Sequence, residues 1–185
     1  MNAPMPCPTF SVVVPCYDEA ECIPELHARL ASVLNKLGDW EAVYVNDGSS
    51  DDTLRVLLHL RTEDPQVSIV SLLRNFGKEI ALTAGLDHAW GEAMIVIGAD
   101  LQDPPDVVTD FVMAWREGYD VASAQRRVRE GEAWLKRVTA SLFYKLMART
   151  GGIEMPRNTG DFRLISRRAV DALWTRCRGY ANSTV

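Results

Sequence analysis

Carboxylates, an amide and two prolines follow an apolar run in the segment MIVIGADLQDPPD, residues 94–106. Asp100, Gln102 and Asp103 place hard oxygen atoms, the ligands that Mg²⁺ and Mn²⁺ prefer, where the apolar run ends. A divalent ion held there could bridge a diphosphate and neutralise its charge as it departs. The simpler interpretation is a strand exit, in which acidic residues cap the next helix and Asp-Pro forms a turn.

Two further polar segments carry candidate binding groups. NDGSSDDT, residues 46–53, contains Asp47, an acceptor for nucleobase N–H groups or ribose hydroxyls, and Gly48, which permits close approach. RNFGKE, residues 74–79, contains Arg74 and Lys78, two cations suited to phosphate. Taken alone, the first segment also fits a turn with a helix cap, and the second fits solvated cations.

The residues between these groups alternate between strand and helix patterns. Short β-branched runs occur at FSVVVP, EAVYVN, VSIVSLL, AMIVIG and YDVASA. Between them, apolar residues recur at helical spacing, as in Ile23, Leu26, Leu30, Val33 and Leu37. Pro24, Asp51 with Asp52, and Pro104 with Pro105 mark helix starts. GDFRLISRRAVDAL, residues 160–173, predicts a strand that continues into a helix.

This alternation predicts an α/β fold, with a Rossmann-like, mostly parallel sheet and helices on both faces. Ligands of such sheets bind outside the carboxyl ends of the strands. Polar segments follow five predicted strands there, namely CYDEAE, NDGSSDDT, RNFGKE, ADLQDPPD and QRRVREGE. Their convergence on one edge favours a binding site over five separate turns.

The composition limits the class of protein. A chain of 185 residues with a net charge of −5 suits one soluble globular domain and argues against a general nucleic-acid binder. The charge is uneven, with 6 basic and 18 acidic residues up to Trp115 and 14 basic and 7 acidic residues from Arg116. The later part either faces phosphates or an anionic membrane, or is simply solvated. With no membrane span, no signal peptide and no disulfide or metal spacing among its cysteines, the chain is expected to be cytoplasmic with reduced thiols.

Five motifs in register resemble family 2 glycosyltransferases, most closely the bacterial polyprenyl-phosphate glycosyltransferases related to dolichyl-phosphate mannose synthase. The motifs are VVVPCYDEAE, VNDGSSDDT, RNFGKEIALTAGLDHA, ADLQDPPD and NTGDFRLISRRAVDAL. The resemblance runs from about Phe10 to Trp174. It implies a GT-A fold, a nucleotide-sugar donor, Mg²⁺ or Mn²⁺ as cofactor, and a polyprenyl phosphate acceptor.

The resemblance also implies roles for individual residues. The nucleotide pocket would be lined by Pro15, Tyr17, Glu19 and Asp47, the phosphates would face Lys78 and Arg126, and the metal would be held by Asp100 and Gln102. Asp161 would stand beside the acceptor, and strand alternation puts Arg163 on the same side. A phosphate monoester has a second pKa of about 6 and is largely a dianion at neutral pH, so Asp161 is expected to orient it more than to deprotonate it.

The implied reaction is one in-line displacement with inversion at the anomeric carbon. It would move a hexose, with glucose from UDP-glucose favoured, to undecaprenyl or a related polyprenyl phosphate. The alternatives are GDP-mannose as donor, a glycan as acceptor, or an impaired nucleotide-sugar binding domain. The last rests on two departures from the family. Gly98 stands where the family usually has aspartate, and the chain stops before the family's C-terminal membrane region.

The expected organisation is a flexible N-terminus over residues 1–9, a catalytic domain over 10–176 and a tail over 177–185. Residues 133–149 have the pattern of an amphipathic helix, which either lies on a membrane surface or packs against the sheet. In the first case the chain would be peripheral at the inner face of the cell membrane. The expected partners are a nucleotide-sugar donor and a polyprenyl phosphate acceptor. No nucleic-acid partner is expected.

Overall fold

A computed structural model describes residues 8–125, 159–172 and 174 of the chain. Backbone contacts group the chain into two compact units, residues 1–123 with 161–185, and residues 124–160. The candidate site belongs to the first unit. Arg126 and the predicted helix over residues 133–149 lie outside the described residues.

The described residues form strands and helices in the predicted alternating order. The strands are β1 (Phe10–Cys16), β2 (Trp40–Asn46), β3 (Val67–Ser71), β4 (Ala93–Val96), β5 (Val121–Gln125) and β6 (Thr159–Ser166). The α-helices are α1 (Ile23–Leu34), α2 (Thr53–Glu63), α3 (Lys78–His88) and α4 (Val108–Arg116), and a short 3₁₀ helix (Pro105–Val107) leads into α4. Residues 167–172 are helical and follow β6 directly, as the sequence predicted. No helix in these ranges is both long and apolar enough to cross a bilayer.

The sheet is mostly parallel, with the strand order β3-β2-β1-β4-β6-β5. β1 pairs in parallel with β2 and β4, and β2 pairs in parallel with β3. β6 is antiparallel to β4, with Arg163 opposite Val96. The start of β6 therefore lies at the edge where the parallel strands end, which is the edge predicted to hold the site.

Helices cover both faces of the sheet because successive strand residues point to opposite sides. On one face, α3 packs so closely that a Cβ atom on Gly85 would lie 2.4 Å from Val13 Cγ1 and 2.9 Å from Val45 Cγ2. On the other face, Phe10 meets Trp115 of α4 edge-on, with ring centroids 5.7 Å apart. The predicted α/β fold with helices on both faces is confirmed.

A buried polar network fixes α1 on the face opposite α3. His27 Nδ1 lies 3.1 Å from the Tyr44 hydroxyl, and His27 Nε2 lies 3.1 Å from a carboxylate oxygen of Asp64. Burial raises the pKa of Tyr44 far above its ordinary value, so the hydroxyl stays protonated. It can donate to Nδ1 while Nε2–H donates to Asp64, and each ring nitrogen is then satisfied.

The starts of α1 and α2 agree with the start signals in the sequence, but the end of α1 differs from the prediction. Pro24 lies in the first turn of α1, and Asp51 accepts a hydrogen bond from the backbone N–H of Thr53, 2.9 Å away, where α2 begins. The apolar pattern predicted α1 as far as Leu37, but the helix ends at Leu34. The N–H of Leu37 donates to the Leu34 carbonyl instead, a tighter turn that redirects the chain toward β2.

Candidate active site

An open cleft of about 290 Å³ lies at the carboxyl ends of β1, β2 and β4, beside the first turn of α3. Six residues predicted from the sequence line it: Pro15, Tyr17, Glu19, Asp47, Lys78 and Asp100. Six other described residues also line it: Cys16, Asn75, Gly77, Ala81, Gly98 and Ala99. The predicted convergence of the first four polar segments on one site is thus observed.

Asp47 is the most deeply placed carboxylate of the cleft, and only 3% of its surface is exposed. Its two oxygens accept hydrogen bonds from the backbone N–H groups of Phe76, at 2.8 Å, and Gly77, at 2.9 Å. Sequence reasoning assigned Asp47 to nucleobase contacts and missed this second role. The carboxylate fixes the loop between β3 and α3, which carries Lys78 to the cleft.

Gly48 brings the end of β2 against that same loop. Its φ of 66° is in the left-handed region, and a Cβ atom there would lie 2.3 Å from the carbonyl carbon of Arg74 and 2.6 Å from the nitrogen of Asn75. Only glycine fits both the conformation and the approach. The loop between β3 and α3 is therefore held from two directions.

The loops after β1 and β2 are tied together by hydrogen bonds at the cleft wall. Asp18, at a φ of 54°, accepts from the backbone N–H of Ser50 at 2.8 Å. The backbone N–H of Glu19 donates to Thr53 Oγ1 at 2.9 Å. These bonds set the positions of Glu19 and of Tyr17, whose ring is 47% exposed.

The end of β4 supplies the oxygen atoms singled out from the sequence. Asp100 is exposed, and its Oδ1 accepts from the backbone N–H of Gln102 at 3.2 Å. Between them, Leu101 has a φ of 58°, which is unfavourable for a leucine and turns the chain sharply. The Gln102 side chain is exposed and is not among the residues that line the cleft.

The electrostatic environment near Asp100 is negative. Partial burial and a hydrogen bond to Glu19 raise the pKa of the Cys22 thiol, and the charges of Glu19, Glu21 and Asp100 raise it further. Burial likewise raises the pKa of Cys16 well above its usual range. Such a field attracts a cation and repels a bare diphosphate.

The donor atoms near Asp100 suit a divalent cation that shares its coordination with a ligand. Among the described residues, no group of three or more His, Cys, Asp and Glu side chains is arranged to hold a metal by itself. Mg²⁺ often uses one or two protein carboxylates, with water and substrate phosphates completing its shell. Asp100, with Gln102 adjacent, fits that kind of site.

Of the other predicted residues, Arg163 is described and is not among the residues that line the cleft. Arg163 is half-buried in β6 opposite Val96, and continuing this antiparallel register by two residues brings the backbone of Asp161 level with Gly98. The backbone of Asp161, near the start of β6, thus lies at the same sheet edge as the cleft. Arg126 lies outside the described residues. The roles assigned to these three residues stay predictions.

Comparison with known proteins agrees with the fold and the cleft. The model of Glycosyl transferase family 2 matches residues 11–174. The chain belongs to glycosyl transferase family 2, and the resemblance stated from the motifs is confirmed.

Two relatives illustrate the range of similarity. An uncharacterised glycosyltransferase of Synechocystis sp. is 51% identical over 165 residues, which cover 89% of this chain and 52% of the relative. The bactoprenol glucosyl transferase of Shigella phage SfV is 43% identical over 163 residues, which cover 88% of this chain and 53% of the relative. The chain therefore spans about half the length of the curated relatives it matches.

Solved structures share the fold at lower identity. A mannosyltransferase from Pyrobaculum calidifontis, in complex with GDP-Man and Mn²⁺, has a TM-score of 0.64 at 23% identity, over 92% of this chain and 48% of that one. Glucosyl-3-phosphoglycerate synthase from Mycobacterium tuberculosis, in complex with Mn²⁺, UDP and phosphoglyceric acid, has a TM-score of 0.61 at 23% identity, over 87% and 56% of the two chains. These similarities support the α/β fold.

Proposed function

We propose that this chain is the donor-binding part of an inverting hexosyltransferase that moves glucose from UDP-glucose to undecaprenyl or a related polyprenyl phosphate. The observation that carries the proposal is the cleft, in which Asp47 and Asp100, from the ends of β2 and β4, line one site. The 43% identity to a bactoprenol glucosyl transferase supports this choice of sugar and lipid.

Asp100, with Gln102 beside it, would hold Mg²⁺ or Mn²⁺ together with the donor diphosphate. Glu19 and Asp100 line the same cleft, so a diphosphate needs a counter-charge to enter. A divalent ion held by Asp100 would supply that charge and would stabilise the departing diphosphate. Lys78, at the start of α3, brings a protein cation to the same cleft.

The acceptor phosphate would approach from the start of β6. One of its oxygens forms a bond to the anomeric carbon of the sugar, while the bond from that carbon to the diphosphate breaks and UDP leaves with the electron pair. The phosphate is already largely a dianion, so no proton has to be removed. Asp161 would orient it, and Arg163 would balance the charge of the two phosphate groups.

Calorimetric titration with UDP and with GDP tests the donor site, with Mn²⁺, with Mg²⁺ and with a chelator. We expect UDP to bind in the presence of either metal and to bind much more weakly with chelator. Transfer of labelled glucose from UDP-glucose to polyprenyl phosphate in detergent then tests the reaction. A folded chain that binds neither nucleotide under any of these conditions would refute the donor site.

Two other functions have a specific observation in their favour. A GDP-mannose donor is suggested by the Pyrobaculum mannosyltransferase solved with GDP-Man, and tighter binding of GDP than of UDP would support it. An impaired nucleotide-sugar binding domain is suggested by Gly98.

Gly98→Asp distinguishes an impaired site from a complete one. A Cβ atom at this position would lie 3.2 Å from Asp100 Oδ1, and among the described residues, its two chain neighbours aside, nothing but that carboxylate lies within 4 Å. A second carboxylate should raise the affinity for Mn²⁺ by about tenfold or more in the absence of nucleotide, which Mn²⁺ paramagnetic resonance measures directly. A large gain in turnover as well would identify the natural chain as impaired. Unchanged turnover would identify its site as complete.

Exposed apolar side chains beside the cleft support a lipid acceptor and a membrane surface. Leu73 is fully exposed, Ile80 is 51% exposed and Phe76 is 42% exposed, and Arg74 lies over the Phe76 ring at 4.8 Å. An acceptor phosphate embedded in a bilayer would bring this loop to the lipid surface, where the cation meets anionic headgroups.

Leu73→Asp combined with Ile80→Asp should release the chain from vesicles of phosphatidylglycerol and phosphatidylcholine. Each buried aliphatic side chain contributes about 1.5–3 kcal/mol, so we expect at least a tenfold loss in the fraction that cosediments. Met113→Asp on α4, which is 59% exposed, is the matched control and should have no effect. Equal losses in both variants would indicate a general charge effect and would contradict this membrane contact.

A further inference from the structure

We propose that Asn46 is a positioning residue, which holds the loops after β1 and β3 at a fixed distance from each other across the donor cleft. The inference rests on the proposed donor site. Asn46 ends β2 and pairs with Cys16 and Ser71, the last residues of β1 and β3. It is only 3% exposed and is not among the described residues that line the cleft. It would therefore act on a nucleotide through its neighbours.

The carboxamide of Asn46 bonds to two different elements. Its Oδ1 accepts from the backbone N–H of Ser49, 3.1 Å away, in the loop that leads to α2. Its Nδ2 donates to Ser71 Oγ, also 3.1 Å away, at the end of β3. A backbone N–H can only donate, so the amide oxygen must face Ser49 and the NH₂ group is left for Ser71. One buried side chain thus connects two strand ends.

The bond to Ser49 leads to the loop after β1. Ser49 Oγ accepts from the backbone N–H of Asp18 at 3.1 Å. Tyr17 and Glu19, the residues on either side of Asp18, both line the cleft. Because the backbone of Ser49 is held by a buried amide, its hydroxyl offers the loop after β1 a fixed point of attachment. Asn46 therefore contributes to the position of two cleft residues that it does not touch.

The bond to Ser71 leads to the loop between β3 and α3. Leu72 opens this loop, and its backbone N–H donates to the carbonyl of Asn46 at 2.9 Å. The loop ends at Lys78, which lines the cleft at the start of α3. Asp47 holds the last part of the loop, whereas Asn46 holds its first residues. Side chains that bind a ligand must keep their positions to within about 0.5 Å, so loosening either loop should weaken binding of the donor.

Replacing Asn46 with alanine should weaken binding of UDP in the presence of Mn²⁺ about tenfold, as measured by calorimetry. In the transfer assay the loss should appear in KM for UDP-glucose, with kcat within about twofold of the wild type, because donor and transition state are bound less tightly to the same extent. Urea unfolding gives the accompanying change in stability. A large fall in kcat at unchanged UDP affinity would contradict this positioning role.

Asn35→Ala is the matched control, because Asn35 makes a similar bond at the other end of β2. Its Oδ1 accepts from Trp40 Nε1 at 2.8 Å, and Trp40 is only 3% exposed. The control also leaves a buried donor unpaired, so it should lower the free energy of unfolding. It should leave the affinity for UDP unchanged. A purely structural role for Asn46 predicts instead that both variants lose UDP affinity in proportion to their loss of stability.

Ser71→Ala removes the hydroxyl of an exposed residue and tests one bond by itself. It should weaken UDP binding about threefold, and it should have no further effect when added to Asn46→Ala, since the bond is then already absent. Unchanged affinity in Asn46→Ala, equal losses in Asn46→Ala and Asn35→Ala, or additive losses in the double variant would overturn the role of Asn46 while leaving the donor site intact. If Asn46→Ala does not fold, unchanged affinity in Ser71→Ala overturns it. Failure of the wild type to bind UDP would refute the donor site itself, and this inference with it.

Discussion

Replacing Asp100 with asparagine is expected to abolish metal-dependent UDP binding and to lower the rate of glucose transfer by at least about 100-fold. The physical reason is that no group of three or more His, Cys, Asp and Glu side chains among the described residues is arranged to hold a metal, so a bound ion would depend strongly on the Asp100 carboxylate. Calorimetry with Mn²⁺ and UDP measures the binding, and the assay with polyprenyl phosphate measures the rate.

Asp106→Asn is the matched control for this experiment. Asp106 is exposed on the 3₁₀ helix and faces a separate groove beside α1. The control should retain the binding and the rate of the wild type. If Asp100→Asn also retained metal-dependent UDP binding, the metal would have to be held elsewhere, and the assignment of Asp100 would be wrong.

Replacing Asp47 with asparagine should destabilise the protein by about 2–4 kcal/mol and weaken UDP binding about tenfold. Asparagine keeps one acceptor oxygen but turns an NH₂ group toward the backbone N–H of Phe76 or Gly77, in a place that is only 3% exposed. One buried donor is then left unsatisfied, and the loop between β3 and α3 loses its clamp. Urea unfolding gives the change in stability, and calorimetry gives the change in affinity.

Asp39→Asn provides the comparison, because Asp39 is an exposed carboxylate in the loop before β2. Its replacement should change the free energy of unfolding by less than about 0.5 kcal/mol. An Asp47→Asn variant that binds UDP weakly but keeps the stability of the wild type would show that Asp47 acts only on the nucleotide. That result would contradict its role in holding the loop between β3 and α3.

The fold was largely predictable because its signals are local. Runs such as FSVVVP and AMIVIG are too short and too β-branched for helices, and polar turn residues separate them from segments with helical spacing. The end of α1 was missed because Leu37 continues the apolar spacing beyond the last helical hydrogen bonds. The antiparallel direction of β6 also has no local signal, since its residues alternate in the same way in either direction.

The candidate site was predictable in its location and less so in its detail. Strand ends of a parallel sheet gather at one edge whatever the loops contain, so the positions of Tyr17 and Asp100 followed from the topology. The clamp made by Asp47 joins residues about 30 positions apart, and it depends on loop coordinates that no spacing rule supplies. Asn75 was passed over because the charged Arg74 and Lys78 stand on either side of it in RNFGKE.

The two neighbours of β4 reach it at very different times. β1 is already made when β4 leaves the ribosome, but Ala93 pairs with Ser166, which is synthesised 73 residues later. Synthesis proceeds at about 5–20 residues per second, so the edge of β4 that pairs with β6 stays unpaired for about 4–15 s. The connection from β4 to β6 is longer than the connection from β1 to β2. Its greater length costs less than about 1 kcal/mol of additional loop-closure free energy, so it scarcely affects the final stability. During this interval the unpaired edge of β4 is a template for pairing with other chains, so we expect aggregation during synthesis to involve this edge.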